Sequence, residues 1–215
     1  MRICLFYVFL SLVVSSVWGR AYGFGGSVGI EGALNMGGVH VSKTRLEEDT
    51  YPASMLMQGE DLGAFLGGTY RFYNFIAELG LMSHIGTAKG KMYDAQQPFA
   101  IWTVKEKRTH GLYWLFGFLG QGFRTYLKGQ YARTLFEANY EAYDDEGEGR
   151  CAPWRWGWGA GAGLEVRVYR CVYAGVSFVR RWYSHFVCTS NGEYPTSLKA
   201  LPEMSRFAVH CKWYF

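Results

Sequence analysis

Strict alternation of apolar with polar or small residues at the C-terminus is the feature that most constrains this chain. Side chains of a β-strand point to opposite faces in turn, so the alternation predicts a strand with one apolar face. The residues between the apolar positions include His210 and Lys212, so the other face of this strand is polar. The apolar positions are Phe207, Val209, Cys211, Trp213 and Phe215.

The same alternation recurs along the chain and predicts eight antiparallel strands. Tyr73-Asn74 separates two alternating segments whose parity switches, as a two-residue hairpin turn requires. Short turns alternate with longer connections near residues 37–58, 87–107, 141–152 and 189–203. The facing of the fifth strand, which ends near Glu137, is ambiguous. An additional hairpin within residues 91–107 would raise the count to ten.

The chemistry of the two strand faces indicates which solvent surrounds the sheet. The non-apolar face consists mainly of glycine with a few charges, which suits a narrow interior better than a water-exposed surface. A soluble secreted barrel would instead be polar outside and apolar inside. Lipid provides no hydrogen-bond partners for the backbone, so a membrane-spanning sheet must close into a barrel. We therefore predict an all-β, up-and-down transmembrane β-barrel.

The N-terminus has the pattern of an export signal. Arg2 precedes the apolar run Ile3 to Val14, and small residues follow at positions that fit a signal-peptidase site. We predict a cleaved signal peptide at residues 1–21 and a barrel domain at residues 22–215. The run is too short to span a bilayer comfortably as a helix. The formal charge of +4 and the absence of a lysine or arginine run give no indication of nucleic-acid binding.

Charged residues on the non-apolar face are predicted to line the barrel interior. Glu78 lies diagonal to Arg71 across the Tyr73-Asn74 turn, within reach of a long side chain. Eight strands enclose a space that their own side chains can fill, so buried charges must be paired there. The alternative is a gated channel in which His84 and His210 titrate. The predicted lumen network is Glu31, Asp61, Arg71, Glu78, His84, Glu165, Arg167, His210 and Lys212.

Aromatic residues cluster near both ends of the predicted strands, as in the interfacial girdles of membrane barrels. Cys151 and Cys188 lie one residue from direct register in the hairpin around residues 169–171, which suggests a disulfide between them. No metal site is predicted, because the acidic segment from Asp144 to Glu148 lacks the spacing of a calcium loop. The predicted girdle residues are Tyr22, Phe24, Tyr70, Phe72, Trp154, Trp156, Trp182 and Phe186.

The mature chain resembles the small outer-membrane barrels: the OmpA transmembrane domain, OmpX, OmpW and opacity-type surface proteins. The export signal, the alternation, the girdles and the terminal Phe215 carry this resemblance. In those families the barrel-assembly machinery reads the last strand, which implies that role here for Phe207, Val209, Trp213 and Phe215. The resemblance further implies a bacterial outer-membrane protein, with its termini in the periplasm and its long loops at the cell surface.

The expected function is adhesion or another host or environmental interaction through the outer loops. The expected partners are outer-membrane lipid, lipopolysaccharide and an extracellular ligand; we expect a monomer without a cofactor. A narrow channel is the alternative. Some eight-stranded barrels modify lipid A, but Val187 stands where their deacylase motif, anchored here on His185, would require serine. An enzyme is therefore not expected.

Overall fold

The computed structural model describes residues 22–45, 49–93, 101–141, 148–190 and 196–215. The predicted signal peptide and the acidic residues Asp144 to Glu146 lie outside these ranges. The strands are β1 Tyr22–Arg45, β2 Asp49–Phe72, β3 Phe75–Gly86, β4 Lys89–Tyr93, β5 Ile101–Leu119, β6 Phe123–Glu141, β7 Glu148–Cys151, β8 Trp154–Tyr169, β9 Val172–Tyr183, β10 Phe186–Thr189 and β11 Thr196–Tyr214.

These strands form one closed antiparallel ring of eight barrel strands. Three barrel strands are each interrupted once, so that β3 continues as β4, β7 as β8, and β9 as β10. The ring closes where β11 pairs with both β1 and β9. The ten-strand alternative is wrong, because β4 pairs with the first residues of β5 and thereby extends the β3–β5 ladder. The predicted fold class is confirmed.

The two ends of the barrel differ in their connections. At the turn end, strands join through short turns, where Tyr73 and Arg170 adopt the left-handed conformation with φ of 49° and 34°. The predicted Tyr73-Asn74 turn connects Phe72 and Phe75, which pair directly. Tyr22 and Phe215 also lie at this turn end. At the opposite, loop end, the connecting segments 46–48, 94–100, 142–147 and 191–195 lie outside the described residues.

The part of the barrel nearest the turn end is apolar outside and polar inside. Ile30, Leu62, Leu127 and Val209 point outward and are each more than 60% exposed, whereas Glu31 and Glu165 are buried. This outer surface is the apolar belt expected of a barrel that faces lipid. In the described residues, no helix is long and apolar enough to cross a membrane.

Beyond this belt the polarity of the barrel wall reverses. Near the loop end, Val39, Met57, Trp102 and Phe136 are fully buried inside the barrel, while Lys89, Lys91 and Lys199 are exposed on the outside. This arrangement is that of a water-exposed barrel with its own apolar core. We call this part the loop-end extension.

The reversal explains why four long loops were predicted where the strands in fact continue. The residues predicted as loops include the last part of β1, the first parts of β2, β5 and β11, and all of β4 and β7. The criterion for predicting a strand was an apolar face that points outward, which holds within the belt. In the loop-end extension the apolar side chains point inward instead. Residues 37–45 and 49–58 therefore failed that criterion although they form regular strands.

Two irregularities also shift the side-chain parity between belt and extension. The β5–β6 register shifts between Glu106 and Arg108, so that Lys107 and Arg108 both face outward. On the opposite side, the β9–β10 interruption leaves Ser184 and His185 both exposed. An additional residue in one strand moves every later side chain to the other face.

Arginine substitutions at two exposed leucines should distinguish the belt from the extension. Leu81 pairs with Leu66 and Leu112 in mid-belt, whereas Leu56 lies in the extension opposite Gly38. Leu81→Arg should lower the free energy of unfolding by about 2–4 kcal/mol, and Leu56→Arg by about 0–1 kcal/mol. Urea titrations in lipid vesicles measure both; equal losses would contradict the reversal of polarity.

Candidate functional site

Glu78 is the most heavily bonded carboxylate in the half of the interior nearest the turn end. It accepts hydrogen bonds from Ser27 Oγ at 2.7 Å, from Lys212 Nζ at 2.9 and 3.1 Å, and from the Tyr113 hydroxyl. The Tyr214 hydroxyl adds a fifth, weaker contact at 3.3 Å. These donors come from three other strands, so Glu78 links distant parts of the ring through its centre.

Glu165 lies beside this cluster and shares two of its partners. Its Oε1 lies 3.1 Å from His210 Nε2 and 3.8 Å from Lys212 Nζ. The Tyr214 hydroxyl donates to Oε2 at 3.0 Å, and Arg124 lies 3.9 Å from the same oxygen. Lys212 thus lies between two carboxylates, and the two clusters form one connected unit.

Arg206 joins two further carboxylates nearer the middle of the barrel. It donates to Asp61 from Nε at 2.8 Å and from Nη2 at 2.6 Å, a bidentate arrangement. Its Nη1 lies 3.1 Å from Glu31, which also lies 2.6 Å from His84 and 3.7 Å from Lys128. Arg206 is fully buried, so its charge depends on these two partners.

Arg181 forms the layer next to the loop-end extension. It contacts Glu106 at 3.1 Å and Asp61 at 3.5 Å, and it donates to Asn35 and to the Tyr183 hydroxyl. Interior charges therefore form two connected clusters, one around Glu78 and Glu165 near the turn end and one from Glu31 to Arg181 at the base of the extension. The buried or nearly buried charged members balance: Glu31, Asp61, Glu78, Glu106 and Glu165 against Arg124, Lys128, Arg181, Arg206 and Lys212.

Seven of the nine predicted lumen residues lie inside the barrel, and two do not. Arg71 and Arg167 are exposed at the turn end, where the last residues of β2 and β8 reach the mouth of the barrel. The partner of Glu78 is Lys212 rather than Arg71, so the predicted cross-strand pair is wrong. The residues found inside are Glu31, Asp61, Glu78, His84, Glu165, His210 and Lys212.

Arg181, Arg206, Arg124, Lys128 and Glu106 were missing from the predicted network. Simple alternation places Arg181 and Arg206 on the inner face, so the sequence indicated the position of these two. Arg124 and Lys128 belong to the strand whose facing was ambiguous. Glu106 lies next to the register shift of β5, beyond which simple alternation fails.

An apolar plug fills the interior above the charged layer. Phe136 stacks on Phe186 with ring centroids 5.7 Å apart and meets Tyr183 edge-on at 5.1 Å. The interior of the extension therefore has the close packing of a soluble core. The plug residues are Val39, Val41, Met55, Met57, Ala88, Met92, Trp102, Val104, Phe136, Ala138, Tyr140, Tyr183, Phe186, Cys188, Leu198, Ala200 and Met204.

Phe186 was predicted as a girdle residue, and this prediction is wrong. The β9–β10 interruption reverses parity, so the Phe186 ring points into the plug. Other predicted girdle rings form contacts in series at the turn end: Phe24–Tyr70 at 4.8 Å and Tyr70–Phe72 at 6.0 Å. Near the loop end, Tyr131 stacks on Trp156 at 5.0 Å and Trp158 on Trp182 at 4.3 Å, whereas Trp154 lies beside His110 at 5.9 Å.

Cys151 and Cys188 form a disulfide with a Cα–Cα distance of 6.0 Å. The backbone ladder between β8 and β9 reaches Gly157 and Tyr183, whereas in the described residues β7 pairs with β6 and β10 with β11. The disulfide therefore joins β7 to β10 across the seam above that ladder. Cys171 and Cys211 are exposed and free.

The terminal strand is apolar outside, with Phe207, Val209 and Trp213 exposed. Phe215 differs, because its ring lies against Gly26 and is only 7% exposed. Its backbone N–H and C=O both bond to Gly26, at 2.9 and 2.6 Å. The described residues contain no group of three or more histidine, cysteine or acidic side chains placed to hold a metal ion.

Comparison with known proteins identifies the fold. No protein-family model and no curated protein sequence matches the chain. Outer-membrane protease OmpT from Escherichia coli is similar in structure, with a TM-score of 0.52, 9% identity, and coverage of 88% of this chain and 97% of that one. Neisserial surface protein A has a TM-score of 0.47, 14% identity, and coverage of 90% and 99%. At these identities the likeness to OmpT shows a shared outer-membrane barrel fold and nothing about activity.

Removing Arg206 should destabilise the barrel far more than removing an exposed arginine. Arg206→Met removes the bidentate partner of buried Asp61 and one of the three partners of buried Glu31, so the free energy of unfolding should fall by about 3–5 kcal/mol. Arg180→Gln is the control: Arg180 pairs with Glu203 at 2.8 Å on the surface, and its loss should cost about 0–1 kcal/mol. Similar losses in vesicle urea titrations would show that the interior network does not stabilise the fold.

Proposed function

We propose that this protein is a non-conducting membrane anchor that presents its loop-end segments to ligands outside the cell. The observation that carries the proposal is the filled interior: paired charges occupy the belt region, and an apolar plug occupies the extension. Trp102, Phe136 and Phe186 in the plug are at most 1% exposed. Both layers would have to open before a solute could cross, so we place the function at the loop end.

The shape of the loop end supports a role in presentation. Strands β1, β2 and β11 run on from the belt as regular paired structure up to residues 45, 49 and 196. The plug supports these strand ends from inside, and the Cys151–Cys188 disulfide joins two of the shorter ones. The frame itself therefore needs no ordering when a ligand binds at this end, which favours affinity.

We further propose that the loop end faces the cell surface and the turn end the periplasm. Outer-membrane barrels have short turns on the periplasmic side and their longer connections outside. The even strand number brings Tyr22 and Phe215 to the turn end, where a chain exported through the periplasm would leave both termini. The apolar belt between them supports residence in an outer membrane.

The proposal includes no enzymatic activity. Ser184 and His185 are both exposed at the β9–β10 interruption, and no hydrogen bond joins them in the described residues. A hydrolytic site requires a nucleophile and a base in mutual contact, oriented by a third group. Residues 184–187 offer no such arrangement.

Two measurements on the same protein test anchor against channel. In planar bilayers the purified barrel should show no steady conductance, and Glu78→Gln should not create selective conductance. Cells that display the protein should adhere to a cultured epithelial monolayer, and replacing segments 94–100 and 142–147 with Gly-Ser linkers of equal length should abolish adherence. The linker variant must retain heat-modifiable gel migration, which reports the folded barrel.

Steady, ion-selective conductance that changes with Glu78→Gln would favour the channel. Undiminished adherence of the linker variant would show that those two segments do not bind the ligand. The two results are independent, so each half of the proposal can fail separately.

A further inference from the structure

The outer surface of the loop-end extension is unevenly charged. Six outward cations lie on the adjacent strands β4, β5 and β6, and Lys107 is the member that pairs with a described acid, Glu137, at 3.0 Å. The other five form no ion pair with a described residue. We call the six residues the basic face: Lys89, Lys91, Lys105, Lys107, Arg108 and Arg133.

Two members of the basic face oppose each other directly. Lys89 and Lys105 are register partners across β4 and β5, and both point outward. Like charges at such a position destabilise a sheet, because their Cβ atoms lie about 4.5–5.5 Å apart. Two acids lie on the flanking strands, and neither forms an ion pair with Lys89 or Lys105. Glu60 lies on β2, and Glu137 is the register partner of Lys105 on β6 but pairs with Lys107 and Arg150 instead, each at 3.0 Å. An anion from outside the chain would remove this repulsion.

The position of the basic face along the barrel axis indicates that this anion is a group of the surrounding lipid. Arg108 pairs with Ile85, which belongs to the apolar belt, and Arg133 lies opposite Trp156. Arg133 also lies over the Trp154 ring, 5.1 Å from its centroid. Tryptophan marks the level of lipid head groups, and long basic side chains extend from the belt edge toward that level. Cations placed there meet the phosphate groups of the surrounding lipid.

Among the side chains that the structure describes, the opposite side of the barrel lacks this feature at the same height. There, Arg180 is neutralised by Glu203 at 2.8 Å, and Lys199 pairs in register with Val187 and Ser42 rather than with a second cation. An unspecific attraction to a charged surface would not require such one-sidedness. The asymmetry therefore points to a defined lipid position on one face.

We propose that the basic face binds the phosphate groups of an anionic membrane lipid at the loop-end leaflet. Lys89 and Lys105 clamp the phosphate from two strands, Arg108 and Arg133 contact it from the belt edge, and the acyl chains lie along the apolar belt below. This site is separate from the ligand-binding segments, so its failure would leave the proposed function untouched.

Native mass spectrometry of the full barrel released from micelles tests this site. The probes are dioleoyl phosphatidic acid and dioleoyl phosphatidylcholine, which share acyl chains and differ in head-group charge. Phosphatidic acid should bind more tightly, and K89Q/K105Q should weaken its binding about fivefold for each lysine removed. The matched double variant K199Q/R180Q removes two cations from the opposite face and should leave the affinity unchanged.

Excess inorganic phosphate provides the second arm of the experiment. Lipid retention that survives it supports a lipid site, whereas displacement by inorganic phosphate would show a soluble-anion site and overturn the proposal. Equal weakening by the two double variants, or equal binding of the two lipids, would also overturn it. Heat-modifiable migration confirms that every variant is folded.

Discussion

Arg206 bridges Glu31 and Asp61 next to the seam where the last strand meets the first. Its three contacts, between 2.6 and 3.1 Å, connect β11 with β1 and β2 through the interior rather than along the wall. Lipid offers no substitute partner for the backbone, so the ring must close, and closing eight strands leaves an interior that side chains have to fill. Paired charges fill it here, and most of these pairs link strands that are not neighbours in the ring.

A second constraint acts along the barrel axis. The same eight strands pass from lipid into water, so the face that must be apolar changes from outer to inner. The transition is gradual in β1 and β2 and irregular in β5 and β9, where the parity shifts. Phe186 illustrates the effect: a lipid-facing ring by simple alternation, it becomes part of the plug. The closed apolar interior of the loop-end extension and its polar outer face thus both follow from the change of surroundings from lipid to water.

Sequence alternation predicted most of the apolar belt correctly but little of the loop-end extension. Alternation located the strand faces at Phe207 and Val209, the Tyr73-Asn74 turn and the inward Glu31, because one strand period determines all of these. It missed the extension because it assumed a single direction for apolar side chains. The specific pairs depend on strand register around the whole ring, which no local pattern contains; Lys212 rather than Arg71 therefore meets Glu78.

In this structure β2 leaves the membrane between Leu62 and Glu60, and its inner face stays dry on both sides of that boundary. Spin labels placed singly along β2, after Cys171 and Cys211 are replaced by serine, measure this by accessibility to oxygen and to a water-soluble nickel chelate. Spin labels at the outward positions 62, 64 and 66 should be more accessible to oxygen, and labels at the outward positions 54, 56 and 58 more accessible to the chelate. A label at the inward position 57 should be accessible to neither. Oxygen preference that continues to position 56 would contradict this membrane boundary, and chelate access at position 57 would contradict the dry interior.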